Sequence, residues 1–393
     1  MALGDNKGGF RYPGYNPLKV ADAPTGISAE GDSELDVSFT APADVGGGAI
    51  TLYQASTTTG VTATSATSPV TLSGLTNGTL YNVRVWAING FGPGPFGTGS
   101  GTPVAVFQRA VFAGGNGNVM DYVDITTAGN ATDFGDLLAT NRFLGAFSSS
   151  TRGVWAGGDN TNVIQYATIA SAGNTTDFGD ATVLYRNGIG GCSNSTRGIF
   201  GGGYQGGYTA TLNYVTIATT GNAVFFGNLT VGRYGLSAVA SPTRAIFADG
   251  EGSGGFKNIL DYHSISSTGN FSDFGDTTVT RRGVCSSSNA TRGIFGGSST
   301  YPGSAPYSNV LDYITMATTG NAIDFGDATA LFTTGQSAAG LTKALFSLGN
   351  VGGSYVNTID QVTIATTGNA TDFGDLTVAR SAGGACSSAH GGI

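Results

Sequence analysis

The sequence predicts an all-β protein built from three consecutive segments. Along most of the chain, short runs of alternating apolar and polar residues lie between turn-forming residues, which is typical of β-strands with one buried face. Glycine accounts for 66 of the 393 residues, a content that suits a chain with many tight turns. The octapeptide GNATDFGD occurs at 129–136 and again at 368–375, with four variants between them. This recurrence indicates a repeat architecture in the last segment.

Composition narrows the classes of function. Hydrophobic residues make up 40% of the chain, which suffices for a packed core. The net charge is −8 and no basic cluster is present, so we expect no nucleic-acid partner. No apolar run reaches the roughly 18 residues of a membrane span, and the N-terminal segment lacks the apolar core of a signal peptide. We therefore expect no membrane insertion and folding in a cytoplasm. The three cysteines, which are too widely spaced for a disulfide framework, are Cys192, Cys285 and Cys386.

Residues 1–22 form the first segment, which is rich in glycine, proline and aromatic residues and lacks strand periodicity. Four bulky apolar side chains within nine residues are unusual for a solvated tail, and Pro13 and Pro17 favour an extended backbone. We therefore expect an extended arm that anchors the protein on another subunit; the alternative is a flexible terminus. The anchoring residues would be Phe10, Tyr12, Tyr15 and Leu18.

Residues 23–103 form the second segment, for which short alternating strands predict a small β-sandwich. Apolar and polar residues alternate in LDVSFTAP and again in LYNVRVWAIN. Leu75 precedes Tyr81 by six residues, and with APTGI at its start the segment resembles a fibronectin type III domain, whose tyrosine corner these two residues match. Phe39 takes the place of that family's usual tryptophan. The resemblance implies a spacer or adhesion module without chemistry of its own.

Residues 104–393 form the third segment, the repeat array. Its GN dipeptides begin at 129, 173, 221, 269, 320 and 368, so successive repeats are 44 to 51 residues apart. That period suits four short strands, the unit of a propeller blade. Each repeat contains a strand such as RGIFGG, a variable loop, a strand such as NVLDYITM, the DFGD element with a following strand such as LTVAR, and a strand of small residues. This order resembles the kelch repeat, with the phenylalanine of DFGD in the place of the usual tryptophan.

The ends of the array predict how the ring closes. The array starts with RAVFAGG at 109–115, which corresponds to the second strand of a blade, and it ends with ARSAGGACSSAHGGI, which contains a first strand. We therefore expect the C-terminal strand to complete the first blade and close the ring, which removes exposed sheet edges. The predicted fold is an extended arm, a fibronectin III-like β-sandwich and a six-bladed kelch-like β-propeller.

The DFGD element admits two interpretations. Paired aspartates such as Asp133 and Asp136 could bind calcium, but the third copy has Phe225 and Asn228 at these positions. We therefore favour a structural turn in which aspartate accepts backbone N–H groups, glycine adopts a positive φ and phenylalanine wedges between blades. Arg152 and its counterparts on the same face are expected to pair with these aspartates. We expect neither a metal nor another cofactor.

The sequence offers little for catalysis. Its two histidines are His263 and His390, and neither has a serine or cysteine neighbour in a known triad signature. We therefore expect that the protein is not an enzyme.

Recognition is expected on the opposite face of the ring, where the repeats differ. The loops after the Gly-Gly strands are short in the first two repeats and longer in the other four, as in GGGYQGGYTATLN. Variable loops on a rigid scaffold are the usual location of recognition, and tyrosines on such loops suit contact with carbohydrate or protein. The alternative is that these rings only pack their own loops. The candidates are Tyr204, Tyr208, Phe256, Tyr301, Tyr307 and Tyr355.

The three segments together resemble a bacteriophage virion protein. The arm and the second segment are similar to the attachment ends of tail- and capsid-associated fibres, notably those of marine and cyanobacterial phages. The resemblance implies assembly in the host cytoplasm, location in the virion, other virion proteins as partners of the arm, and a homo-oligomer or symmetric copies on the particle. We expect the propeller to contact a host surface glycan or protein. The alternative is a purely structural capsid decoration or a tail or baseplate component without receptor binding.

Overall fold

The regular structure in the described part of the chain is entirely β. The computed structural model describes residues 18–104, 107–299 and 307–393, and this part of the chain contains no helix long and apolar enough to cross a membrane. The chain divides into two units between residues 106 and 107. Residues 18–22 of the predicted arm are described, and among the predicted anchoring residues these include Leu18, which is 67% exposed. The predicted site residues outside the described part are Phe10, Tyr12, Tyr15 and Tyr301.

The first unit is a two-sheet sandwich. Its strands are β1 (Thr25–Glu30), β2 (Glu34–Thr40), β3 (Ile50–Thr57), β4 (Thr62–Ser65), β5 (Val70–Ser73), β6 (Tyr81–Asn89) and β7 (Gly92–Gly101). They form the sheets β1-β2-β5 and β4-β3-β6-β7, which share one apolar core. Val83 and Val85 are buried while Arg84 between them is exposed, so the predicted alternation is confirmed. The Tyr81 hydroxyl accepts the N–H of Thr76 at 3.1 Å, which forms the predicted tyrosine corner.

The second unit begins with the following strands. They are β8 (Arg109–Ala113), β9 (Val119–Asp124), β10 (Thr132–Asp136), β11 (Gly145–Ser148), β12 (Arg152–Ala156), β13 (Thr161–Thr168), β14 (Thr176–Tyr185), β15 (Gly190–Ser193), β16 (Arg197–Gly201), β17 (Thr211–Thr216), β18 (Val224–Asn228), β19 (Arg233–Tyr234), β20 (Ser237–Ala240), β21 (Arg244–Ala248) and β22 (Glu251–Gly252).

The unit continues with β23 (Gly255–Ser264), β24 (Ser272–Arg281), β25 (Cys285–Ser288), β26 (Arg292–Ser298), β27 (Ser308–Thr315), β28 (Ile323–Thr333), β29 (Gln336–Ala339), β30 (Lys343–Ser347), β31 (Asn350–Val351), β32 (Ser354–Tyr355), β33 (Thr358–Thr363), β34 (Thr371–Asp375) and β35 (Gly384–Ser387).

These strands form six antiparallel sheets that follow one another along the chain. Sheet 1 is β35-β8-β9-β10, sheet 2 is β11-β12-β13-β14, sheet 3 is β15-β16-β17-β18, sheet 4 is β20-β21-β23-β24, sheet 5 is β25-β26-β27-β28 and sheet 6 is β29-β30-β33-β34. Short strands add to two of them, because β19 and β22 extend β23, and the hairpin β31-β32 extends β28. Strand β35, the last strand of the unit in sequence, pairs with β8, the first, and places Cys386 opposite Val111.

The first strands of the six sheets are β35, β11, β15, β20, β25 and β29. They contact one another in that order, and β29 in turn contacts β35. Apolar side chains fill the space between consecutive sheets; Val154 of sheet 2, for example, belongs to one buried cluster with Phe200 and Val215 of sheet 3. Because the second strands have apolar neighbours on both faces, segments such as RGVWA are buried almost throughout and do not alternate.

The DFGD element is part of the outer strand of its sheet, so the predicted turn is wrong. In β10 the pairing with β9 shifts at Gly135, whose φ of 139° marks a β-bulge. The next GN dipeptide lies against this bulge: Gly173 donates its N–H to the carbonyl of Phe134 at 2.6 Å, and Asn174 Oδ1 accepts the N–H of Asp136 at 3.0 Å. A Cβ at Gly135 would lie 2.6 Å from the Gly173 backbone, so a larger residue is excluded sterically.

The same contact, here called the GN staple, joins every consecutive pair of sheets and also sheet 6 to sheet 1. Its glycine-to-phenylalanine hydrogen bonds measure 2.6 to 2.9 Å in the pairs Gly173–Phe134, Gly221–Phe178, Gly269–Phe226, Gly320–Phe274, Gly368–Phe325 and Gly129–Phe373. The acceptor side chain is the asparagine and not the aspartate, which corrects the expected role of the aspartates. The third copy needs no acid because Asn228 contributes its backbone N–H, accepted by Asn270 at 3.1 Å.

The arginines that open the second strands do not pair with these aspartates, so that expectation is also wrong. The guanidinium of Arg152 lies 4.3 Å from the ring centroid of Tyr166 in the same sheet and donates to the carbonyl of Ile217, after β17, at 2.8 Å. The arginines that repeat this arrangement are Arg109, Arg197, Arg244 and Arg292.

The cysteines lie in the first strands of sheets 3, 5 and 1, and all three are free and buried. Burial raises the pKa of Cys285 and of Cys386 to about 12. These thiols therefore stay protonated and act as small apolar groups.

Candidate functional site

Strand pairing beside sheet 4 brings three side chains into one row. Strand β22 lies between β19 and β23, and in this pairing Glu251 is opposite both Tyr234 and Phe256. Residues directly opposite one another in antiparallel strands share a face, so the three side chains project to the same side. Gly254, with φ of 82°, permits the tight turn between β22 and β23.

Aromatic rings and one guanidinium form a stack along this row. The guanidinium of Arg282 lies over the rings of Phe256 and Tyr234, at 5.1 Å and 5.3 Å from their centroids. Tyr208 stacks on Tyr234 at 5.9 Å with an interplanar angle of 15°, and Tyr204 meets both rings edge-on. Tyr208 is 39% exposed, so part of its ring is available to a ligand. We call Tyr204, Tyr208, Tyr234, Glu251, Phe256 and Arg282 the aromatic cluster.

Glu251 organises the aromatic cluster through three polar contacts. It accepts the hydroxyl of Tyr208 at 3.1 Å and that of Tyr234 at 3.0 Å, and it forms an ion pair with Arg282. Burial, together with the hydrogen bond to Glu251, raises the pKa of Tyr208, and burial raises the pKa of Tyr234 to about 12. Both phenols therefore remain neutral donors near pH 7, and the opposite charges of Glu251 and Arg282 cancel.

A cavity of about 420 Å³ opens beside the aromatic cluster, and Tyr234 and Arg282 belong to both. Its wall consists of the beginnings of the first strands, the residues that precede them, and Ser299 after β26. The volume lies within the range of about 300–1,000 Å³ that is usual for small-molecule sites. We call this space the central cavity.

Backbone hydrogen bonds link the sheets at the rim of the central cavity. Each sheet has a residue with φ between 52° and 68° two positions before its first strand: Phe143, Gly188, Gly235, Gly283, Thr334 and Ala382. Gly283 donates its N–H to Gly235, and Gly235 donates to Gly188, both at 2.8 Å. Thr334 donates to Gly283 and Ala382 to Thr334 in the same way. These hydrogen bonds fix the positions of the rim residues relative to one another, so the rim is preorganised.

Oriented hydroxyls and small side chains line the wall of the central cavity. Ser286 donates its hydroxyl proton to the carbonyl of Ala238 at 3.0 Å, and Ser337 donates to the carbonyl of Ser286 at 2.7 Å. Because each proton is committed, the remaining lone pairs of these oxygens are available as acceptors. The corresponding positions in other sheets carry alanine or glycine, as at Ala146 and Ala385, and leave room for a ligand.

Two further polar side chains lie in the wall but are shielded. The Gln336 amide and the Ser237 hydroxyl have no hydrogen-bonding partner among the described residues. Gln336 is only 2% exposed and Ser237 7%, and their polar atoms are covered by neighbours, so neither contacts a ligand in this conformation. Unpaired polar groups of this kind lower stability.

The central cavity narrows at its far end. It continues into a space of about 60 Å³ that shares six wall residues with it and is lined in part by His390. His390 Nε2 donates to the carbonyl of Ser148 at 3.0 Å, and its Nδ1 accepts the N–H of Gly392 at 3.0 Å. Burial lowers the pKa of His390 to about 4, so the imidazole is neutral and fits both contacts.

The predicted loop residues have different outcomes. Tyr204, Tyr208 and Phe256 come together in the aromatic cluster, although they come from two repeats. Tyr355 lies on β32, is 50% exposed and stands outside the cluster, and Tyr307 is half-buried immediately before β27.

The sequence did not identify Tyr234, Glu251 or Arg282. The repeat pattern of the sequence could have drawn attention to two of them. Tyr234 and Arg282 occupy the same position in their repeats, three residues before the first strand of a sheet. The residue type at this position varies around the unit: Arg142, Asn187, Tyr234, Arg282, Thr333 and Ser381.

The histidines lie apart from the aromatic cluster. His263 packs on Phe226 and Phe271, with ring centroids 5.5 Å and 5.6 Å apart, and His390 lines the narrow far end of the central cavity. Within the described residues, no group of three or more histidine, cysteine, aspartate or glutamate side chains is placed to hold a metal ion.

Comparison with known proteins identifies one part of the chain. Residues 22–100 match the model of the fibronectin type III domain. The first unit, with its two sheets and tyrosine corner, therefore contains a fibronectin type III domain, as the sequence resemblance implied. No curated protein matches the chain.

Proposed function

We propose that the chain is a non-enzymatic attachment protein of a bacteriophage particle and that its second unit recognises a glycan on the host surface. The observation that carries the recognition role is the partly exposed ring of Tyr208, held in a fixed stack beside the open central cavity. An aromatic face next to a polar-lined cavity suits the apolar faces and hydroxyl groups of a sugar. Because the stack is held by Glu251 before any ligand arrives, little side-chain entropy is lost on binding.

In this proposal the second unit is a closed six-bladed propeller of the kelch type. The pairing of β35 with β8 supports closure, as does the GN staple between sheet 6 and sheet 1. A closed ring has no exposed sheet edges and gives the rim a fixed geometry. The fibronectin type III domain is the spacer, and the arm at 1–22 docks on other virion proteins.

A paired set of tyrosine variants tests the recognition role. Replacing Tyr204 and Tyr208 together by alanine removes the exposed part of the aromatic cluster and should abolish adsorption of particles to host cells while assembly stays normal. Tyr355→Ala is the matched control, because Tyr355 is similarly exposed on a different hairpin. Unchanged adsorption of the double variant would contradict the proposal and support a purely structural role in the particle.

Deletion of residues 1–20 tests the docking role separately. The arm supplies the contacts to the particle in this proposal, so the shortened chain should fold but be missing from purified particles. Its presence at normal copy number would show that the particle holds the protein by another surface.

A further inference from the structure

We propose that the central cavity is a binding site for a single neutral sugar residue at the end of a glycan chain. This inference rests on the proposed function, since it specifies which glycans the second unit would recognise. The cavity is distinct from the exposed ring of Tyr208, which serves as a stacking surface outside it.

The shape of the central cavity selects the end of a chain. Its volume of about 420 Å³ accommodates a small ligand, and beyond it the space falls to about 60 Å³. His390 lines this narrow end and is held there by its hydrogen bonds to Ser148 and Gly392. The narrow end is too small for a sugar residue, so a polysaccharide cannot thread through the unit and a ligand that enters from the rim must present a terminus.

The wall chemistry suits a ligand rich in hydroxyl groups. Ser286 and Ser337 have committed their protons to backbone carbonyls, so their oxygens accept hydrogen bonds from a ligand. Asn187 at the rim adds an amide with both donor and acceptor capacity. Apolar wall residues such as Phe143 and Leu236 can cover the C–H faces of a sugar ring.

The charges at the rim favour a neutral sugar over an acidic one. Among the described residues that line the central cavity, Arg282 is the one with a charged side chain, and its charge is paired with Glu251. The chain as a whole carries a net charge of −8, which disfavours the approach of an anion. A sialic or uronic acid would thus meet no unpaired cation in the wall.

The test measures binding of methyl glycosides to the full chain by saturation-transfer NMR and titration. The probes are methyl glycosides of neutral hexoses and N-acetylhexosamines, with N-acetylneuraminic acid as the acidic comparison. At least one neutral glycoside should bind, and its affinity should exceed that of the acidic sugar by at least tenfold. Absence of binding by every neutral probe, or a preference for the acidic sugar, would overturn the proposal.

Two variants locate the binding in the central cavity. Ala385→Leu fills the wall and should weaken the best glycoside at least tenfold, whereas Ala128→Leu makes the same change at an exposed turn and should leave binding unchanged. Ser337→Ala removes one hydrogen-bond acceptor with little change in side-chain volume and should weaken binding several-fold. This variant keeps the test valid if Ala385→Leu disturbs folding. Wild-type affinity in both wall variants would overturn the assignment.

The outcomes also separate this inference from the proposed function. Normal glycoside binding by the Tyr204→Ala, Tyr208→Ala double variant, with unchanged adsorption to cells, would refute the proposed function and leave the cavity site standing. Loss of adsorption in that variant, with full glycan binding by Ala385→Leu, would refute the cavity site alone.

Discussion

Three buried arginines of the second unit, Arg233, Arg281 and Arg380, pair with buried aspartates of the next sheet. The carboxylate of Asp121, in β9, accepts from the guanidinium of Arg380 at 2.9 Å and from the hydroxyl of Thr377 at 2.6 Å. Thr377 and Arg380 follow β34, so these contacts join sheet 6 to sheet 1. The pairs that make equivalent connections are Arg233–Asp261 and Arg281–Asp312.

Removal of one partner of such a pair should be costly. Asp121→Ala leaves the guanidinium of Arg380 buried without its carboxylate, so we expect the free energy of unfolding to fall by about 3–5 kcal/mol. Asp133→Ala removes an exposed acid of the DFGD element and should change the free energy of unfolding by less than about 0.5 kcal/mol. Urea unfolding of both variants provides the measurement, and equal losses would contradict the account of the ion pair.

His390 gives the second unit a defined pH dependence. The folded protein keeps its imidazole neutral down to about pH 4, whereas the unfolded chain takes up a proton near pH 6.5. The unfolded state therefore binds more protons between these values, and stability should fall by up to about 3 kcal/mol as the pH decreases from 7 to 4.

The variant His390→Asn isolates this effect. Asparagine retains a donor and an acceptor but does not titrate, so the decline in the urea midpoint between pH 7 and pH 4 should become smaller. An unchanged decline would show that other groups cause it.

At the scale of the element, the sequence predicts strands well and misplaces one motif. Alternation in the first unit and the near-complete burial of the second strands follow directly from residue patterns. In a sequence, glycines such as those of the DFGD element suggest turns. In the structure Gly135 and most of its counterparts have positive φ values but lie at bulges within outer strands. Glycine suits both a bulge and a turn because both can require a positive φ, so the residue type alone does not distinguish them.

The GN staple makes a prediction for glycine substitution. Gly135→Ala places a Cβ against the Gly173 backbone at a strained φ, so we expect a loss of about 2 kcal/mol or more in the free energy of unfolding. Gly117→Ala is the matched control, because its Cβ would meet only Val119 N, at 4.0 Å. Equal stability of the two variants would show that the staple is not tightly packed.

The candidate site was only partly predictable because it depends on pairing between short elements. Tyr204, Tyr208 and Phe256 stand out as aromatic residues on variable loops. Glu251 and Tyr234 become neighbours through the strands β19 and β22. Each of these strands has two residues, which is too short for an alternating pattern that the sequence could show. The central cavity arises where six separate segments meet, and no single segment encodes it.

At the scale of the whole molecule, each unit is assigned a separate task. The fibronectin type III domain contributes no candidate site and is proposed as a spacer. The second unit places its GN staples and its variable loops at different strand ends, so the loops can vary without disturbing the staples. The central claim is that this loop side binds a neutral glycan.

An array of neutral and acidic glycans, probed with the purified full chain, tests that claim most directly. We predict binding to a set of neutral glycans that share a terminal residue, with binding lost in the Tyr204→Ala, Tyr208→Ala double variant and retained in Tyr355→Ala. Absence of binding to any glycan, or equal binding by the double variant, would contradict it.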